Sequence, residues 1–329
     1  MKNIRNIFYL LIFYLLTFSS ASAHVKWFVP DEEIIEESHG LTPFYNIQSK
    51  EVLIWAGVVF IMVLLGAYLD RIIKTPKKIT EFSFKYEKQI NRGAQALLGI
   101  FMLVTVNFFW DTIIIPYVAS PNTFKYLIQS MQVLIGAMFL FNFRPRIASM
   151  LLMALCVALG IWSGPITFAE NLLLLSVAFY FFIKNSPTDS KTFRLNKYAV
   201  EILRVGTGIC LIVLAFTEKL AYPELSLVFL QAHPWNFMQP FFPNFTDSLF
   251  VLSVGASELI FGIMFIMGYL TRVTTIFLTV FLLSSATAMF LSVGDWEPGH
   301  VVIYAAAFLF LAFGHGHTKF FHFNLFKKS

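Results

Sequence analysis

Cysteine is scarce in this chain: Cys156 and Cys210 are the only two in 329 residues, both lie in apolar stretches, and there is no CxxC pair. Neither a disulfide framework nor a thiolate metal site is expected. Charge is scarce as well. Asp, Glu, Lys and Arg make up 13% of the sequence, against about 25% in a typical soluble domain. That deficit, with 57% hydrophobic residues and 39 Phe, points to lipid as the solvent, because a bundle in lipid turns apolar side chains outward as well as inward. There is no phosphate-binding glycine loop, no CxxCH for haem attachment and no convincing nucleophile–base pair, so nucleotide and haem cofactors are not expected.

What is present begins with an export signal. Lys2 and Arg5 form a basic start, residues 7–18 an apolar stretch, and Ala21, Ser22 and Ala23 a small-residue cleavage site. Residues 1–23 are expected to be removed as a signal peptide, with cleavage after Ala23 or after Ala21. A polar, acidic segment (24–51) follows. Nine apolar stretches come next, near 52–69, 94–110, 124–142, 146–163, 167–184, 199–217, 248–268, 272–293 and 299–314. Each is expected to cross the membrane as a helix, since a lone strand would leave its backbone unpaired in lipid.

The basic residues orient these spans. With the mature N-terminus outside, only Lys26, Lys50, Lys125 and Lys219 face outward; the remaining Lys and Arg of the mature chain fall in inner loops or the 315–329 tail. Such asymmetry places the protein in a bacterial-type inner membrane, N-terminus periplasmic and C-terminus cytoplasmic. The net charge of +5 follows that topology, and no nucleic-acid partner is implied. The expected partners are membrane lipid and a membrane or periplasmic protein.

The last eight spans contain a duplication. Gln132, Gly136, Met138 and Phe139 line up with Glu258, Gly262, Met264 and Phe265, and the same offset matches Arg146 with Arg272. Arg92 and Arg204 each precede a span running outward; Glu170 and His300 each begin one running inward. Four helices (94–184) are thus repeated, in the same orientation, as four more (199–314). Where the first copy has Val106, Gln132 and Glu170, the second has Glu218, Glu258 and His300, plus a long outer loop, 221–247. The second copy is the one expected to carry a site.

The run Arg204, Gly206, Gly208, Glu218, Lys219, followed by Glu258, Gly262, Gly268, Thr271 and Arg272, resembles the DoxX/DoxD family of four-helix membrane proteins. The start His24-Val25-Lys26-Trp27-Phe28 after a signal resembles the doubled members of that family. The resemblance implies an all-α polytopic bundle of two tandem DoxX-like four-helix repeats, preceded here by one extra transmembrane helix. Some relatives are subunits of a thiosulfate:quinone oxidoreductase. The outer face of this chain argues against a sulfur oxyanion, because it carries twelve acidic residues, Glu51, Glu218, Glu224 and Asp247 among them, against four lysines and no Arg.

Glu258 lies about ten residues into its span, roughly 15 Å deep by helix rise, where a carboxylate has to pair, coordinate something or stay protonated. It is read either as a proton-accepting or metal-binding group facing the interior, or as a helix–helix hydrogen bond to Ser or Thr. Glu218 and His300 lie near the outer ends of their spans, so a bundle would let all three converge on an outward pocket. Such a set suits a divalent cation or the protons of a quinol. The plainer readings are a surface ion pair of Glu218 with Lys219 and a headgroup-wetted His300. His24, as first mature residue, would form an amine–imidazole chelate suited to copper, with His300 and Glu258 as further metal ligands. Three functions stay open: a periplasm-facing copper or divalent-metal site, a quinone-linked oxidoreductase or its membrane subunit, and a non-catalytic anchor or assembly subunit.

Overall fold

The computed structural model describes residues 49–108, 122–221, 223–233, 235–293 and 300–316, and among these the regular structure is entirely helical. In chain order the helices are α1 (Lys50–Ile72), α2 (Lys77–Lys85), α3 (Glu87–Phe108), α4 (Asn122–Leu140), α5 (Pro145–Ser163), α6 (Pro165–Glu170) and α7 (Leu172–Lys184). After a 3-10 segment at Lys191–Tyr198 come α8 (Ala199–Ala215), α9 (Glu224–Ala232), α10 (Asp247–Met267), α11 (Thr271–Val293) and α12 (His300–Phe313). The signal segment, His24 and the end of the 315–329 tail lie outside the described residues.

All nine apolar stretches fall largely on helix. By length and composition, four are long and apolar enough to cross a membrane: Lys50–Ile72, Pro145–Trp162, Lys191–Leu220 and Asp247–Met267. Four more apolar helices are shorter, between 10 and 17 residues. This architecture fits a multi-pass membrane protein. The stretch 167–184, expected as one span, is instead divided. Gly164 sits at φ +93°, Pro165 starts α6, and α6 yields to α7 at Asn171, whose amide side chain bonds back to the Thr167 carbonyl at 2.8 Å. Proline fixes the first turn of a helix and cannot continue the preceding one.

The long helices are not equivalent. In the apolar window of α1 only 17% of residues are buried, and Leu53, Ile54, Phe60 and Ile61 are exposed. In α10 the buried share is 78%. An apolar helix with an open surface is what lipid solvation produces, whereas α10 is enclosed by its neighbours.

The chain forms two compact units. One comprises Ile61–Val213, Ile260–Thr275 and Val301–Ser329. Within it α3 packs along α4 where two glycines meet: a Cβ on Gly99 would lie 2.7 Å from the Gly136 carbonyl oxygen. The same device recurs between α8 and α10, where a Cβ on Gly208 would lie 2.6 Å from the Gly262 oxygen, and one on Gly262 2.8 Å from the Gly208 oxygen. Both crossings are bare backbone on bare backbone, the close approach that small residues permit in membrane bundles. Arg92 and Arg204 also act alike. Arg92 donates to the Leu140 carbonyl at 3.3 Å, closing the end of α4, and Arg204 donates to the Phe265 and Ile266 carbonyls at the end of α10. Arg146 stacks over the Phe182 ring near the end of α7, and Arg272 donates to the Leu311 and Ala312 carbonyls near the end of α12.

The other unit comprises Met1–Phe60, Leu214–Leu259 and Ile276–His300. Its apolar centre is Trp55 of α1 against Leu252 and Ala256 of α10, flanked by Val52, Val59, Leu220 and Leu249. All the sequence-derived site residues with described structure lie here.

Candidate functional site

α8 continues past Ala215 as a single π-helical turn, Phe216–Leu220. The Ala221 amide bonds to the Phe216 carbonyl at 2.9 Å, an i to i+5 step. Such wide turns occur mostly as one-turn insertions at functional sites. Two consecutive charged residues, Glu218 and Lys219, are both buried here, each 1% exposed. The irregular backbone is held from outside: the Ser226 hydroxyl on α9 donates to the Glu218 carbonyl at 2.9 Å.

α10 comes close to this turn because of Gly255. A Cβ there would lie 2.8 Å from the Leu220 side chain and 3.0 Å from Lys219 Cβ. One turn further along the same face is Glu258. Lys219 Nζ is 3.1 Å from Glu258 Oε2 and 3.2 Å from Glu218 Oε2. One ammonium thus bridges two carboxylates between the end of α8 and α10. Ionised throughout, the three groups sum to −1. Burying these charges is costly, and their mutual attraction offsets that cost only through close hydrogen-bonded geometry. Removing Lys219 leaves two carboxylates uncompensated, whereas removing either glutamate leaves a one-to-one pair.

The triad differs from the expected site in three ways. The Glu218–Lys219 ion pair is buried instead of lying on the surface. Glu258 pairs with that same lysine and not with a neighbouring hydroxyl. Lys219, read from the sequence as an outward cation and a partner of Glu218 alone, stands between the two carboxylates. His300 opens α12 in the same unit and is 1% exposed, so it is not a headgroup-wetted residue. Among the described residues, no three His, Cys, Asp or Glu side chains gather as a metal ion requires. Lys219 already supplies the positive charge that a divalent cation would bring to Glu218 and Glu258. The proposed ligand His24 lies outside the described residues.

The position matched to Glu258 in the sequence is neutral. Gln132, matched with Glu258, is fully buried and donates to the Met102 carbonyl at 3.0 Å and the Thr105 hydroxyl at 2.5 Å. It links helices with no charge to move, as a scaffold position would.

Beside the triad lies an apolar cavity of about 380 Å³, lined chiefly by Trp55, Phe216, Leu220, Leu252, Ala256 and Leu259. Leu220 and Leu259 directly follow Lys219 and Glu258 in the chain, so the cavity wall and the charged cluster are built on the same turns. The loop before α10 is tied to the unit by Asn236, whose amide donates to the Phe245 carbonyl at 2.7 Å and the Asp247 carboxylate at 2.8 Å. Glu224, at the start of α9, is half-buried, and desolvation holds its carboxyl above the usual glutamate range.

No protein-family model matches the chain, and neither does any curated protein or solved structure.

Proposed function

We propose that this chain is a DoxX-like inner-membrane protein whose second four-helix repeat carries a proton-handling site for a quinone-type molecule, as part of a quinone-linked membrane oxidoreductase. One observation carries the reading: Lys219 held between Glu218 and Glu258, all three buried. A carboxylate pair sharing one ammonium has a net negative charge and an acceptor for a proton, in a place where water is scarce. An apolar cavity beside it suits the ring or first isoprenoid unit of a lipophilic carrier. When a quinol is oxidised it releases two protons and two electrons. Glu258 and Glu218 are the residues to accept the protons and pass them toward the outer face, with His300 as a further base near that end. The two electrons pass to a partner subunit carrying a redox centre, which is reduced as the quinol is oxidised to quinone.

The repeat itself is part of this proposal. Its support is the pair of matched glycine crossings, Gly99 with Gly136 and Gly208 with Gly262, together with the arginines that close equivalent helix ends. The inner-membrane placement, with a periplasmic N-terminus and a cytoplasmic C-terminus, rests on the distribution of Lys and Arg. The copper reading is less favoured, since Lys219 occupies the two carboxylates on which a metal would depend.

The test is binding of a short-chain quinone, decylubiquinone, to the purified full-length chain in detergent, read by quenching of tryptophan fluorescence. Trp55 lines the cavity, so saturable quenching is expected, reduced in Trp55→Phe and abolished in Ala256→Phe, which fills the space. Quenching that never saturates, or that is equal in all three proteins, would remove the basis for a quinone at this site.

A further inference from the structure

The unit built from Ile61–Val213, Ile260–Thr275 and Val301–Ser329 holds a feature that proton chemistry does not use. α2 is short and two-faced. Its buried Ser83 donates to the Ala312 carbonyl at 2.6 Å, which fastens the helix to α12. Beside that anchor, Ile79, Phe82 and Phe84 are 40%, 58% and 56% exposed, and the preceding Ile72 and Ile73 are exposed as well. Interleaved with these apolar side chains are the exposed Lys74, Lys77, Lys78, Lys85 and Lys88, with Glu81 as the one exposed acid of α2. A short helix that presents rings and lysines together, joined directly to the long apolar α1, has the composition of an interfacial helix lying in an anionic leaflet.

The same segment borders a polar cavity of about 930 Å³. Lys85 lines it from α2, Lys88, Asn91, Arg92 and Gln95 from α3, and Lys184 from α7. The acid lining it, Glu87, is already engaged by Lys184 at 2.8 Å. Arg92 uses Nη2 on the Leu140 carbonyl, while its Nη1 is buried with no partner among the described residues. A buried guanidinium N–H without an acceptor is costly, and a phosphate oxygen is the acceptor that arginine geometry favours. Lys85, Lys88 and Arg92 together present an excess of positive charge to that space, with exposed Phe82 and Phe84 beside it for acyl chains.

We infer that this cavity and α2 form a binding site for an anionic phospholipid, its phosphate held by Arg92 and Lys85 and its chains lying along Phe82 and Phe84. The inference rests on the membrane reading of the chain and is independent of the quinone site. It commits to a lipid and not to a soluble phosphate, because exposed apolar side chains, Phe82 and Phe84 among them, share the segment with the basic ones.

The test is native mass spectrometry of the full-length chain in an uncharged detergent, titrated with palmitoyl-oleoyl phosphatidylglycerol or with the corresponding phosphatidylcholine. A basic side chain near an anionic surface is worth roughly fivefold in affinity. The wild-type chain is therefore expected to retain phosphatidylglycerol about tenfold more tightly than phosphatidylcholine. Lys85→Gln with Lys88→Gln, both at exposed positions that leave the fold intact, should lose most of that preference, and Arg92→Gln should lose it as well. The Arg replacements K85R and K88R should restore it. Equal retention of the two lipids overturns the inference alone. Retention of neither overturns it together with the membrane reading. Displacement of the bound lipid by millimolar inorganic phosphate would mean that the cavity serves a soluble anion instead.

Discussion

Replacing Lys219 by methionine removes the ammonium and leaves Glu218 and Glu258 facing each other across a buried space. Methionine nearly preserves the side-chain volume, so the change is one of charge and not of packing. Both carboxylates lose the partner 3.1 and 3.2 Å away. Breaking a buried pair by deleting one partner costs about 3–5 kcal/mol, and here one deletion strands two acids, so the upper part of that range is expected. The assay is denaturant unfolding in mixed micelles, with Gly57→Ala as a control because a Cβ there meets nothing within 4 Å. Combining K219M with E218Q and E258Q removes every formal charge. Buried ionic sets replaced by neutral groups of similar size are often as stable as the original, so the triple variant should recover most of the loss. If K219M alone is as stable as the wild-type chain, or if the triple variant is worse than K219M, the triad is not the coupled buried cluster described above.

Three further outcomes follow from other parts of the molecule. Gly208→Ala and Gly262→Ala each place a Cβ within 2.6 Å of neighbouring atoms at the α8–α10 crossing and should cost about 1–3 kcal/mol through overpacking, measured by the same unfolding assay. Arg204→Gln removes the fully buried guanidinium that donates to the Phe265 and Ile266 carbonyls; losing hydrogen bonds from a charged donor should cost about 2 kcal/mol or more, visible as lower thermal stability. Glu224 has its carboxyl held above the usual range by desolvation, so the folded chain resists its ionisation, and its contribution to stability is present at acid pH and lost as pH rises through the folded value. E224Q should accordingly be slightly more stable than wild type at neutral pH and equal to it near pH 4, in thermal melts across that window.

The sequence made the long helices legible because continuous apolar runs leave no other backbone solution in lipid, as α1 and α10 show. The glycines and arginines stood out in the sequence only as matched positions; that Gly99 meets Gly136, that Gly208 meets Gly262 and that Arg92, Arg204 and Arg272 bond carbonyls at helix ends depends on packing between distant segments. Glu258 stood out as an intramembrane carboxylate and is buried as expected. Lys219 was misplaced because hydropathy counts end the span at residue 217, whereas the π turn carries the interior on to Leu220. That turn depends on Gly255 and Ser226, which are distant in sequence and carry no local signal. Gly164 followed by Pro165 marked the break between α5 and α6, whereas the further break at Asn171 was hidden by the apolarity on both sides. The helix α2 read only as a basic loop, because its apolar positions are too few to stand out beside its lysines.

The most direct test of the central claim is infrared difference spectroscopy of the purified chain with decylubiquinone, recorded between oxidised and reduced quinone. A change in the carboxylic-acid region is expected on reduction, as a buried glutamate exchanges a proton, and it should disappear in Glu258→Gln while quinone binding persists. A spectrum with no carboxyl change, or one that is identical in Glu258→Gln, would contradict the assignment of Glu218, Lys219 and Glu258 as a proton-handling site.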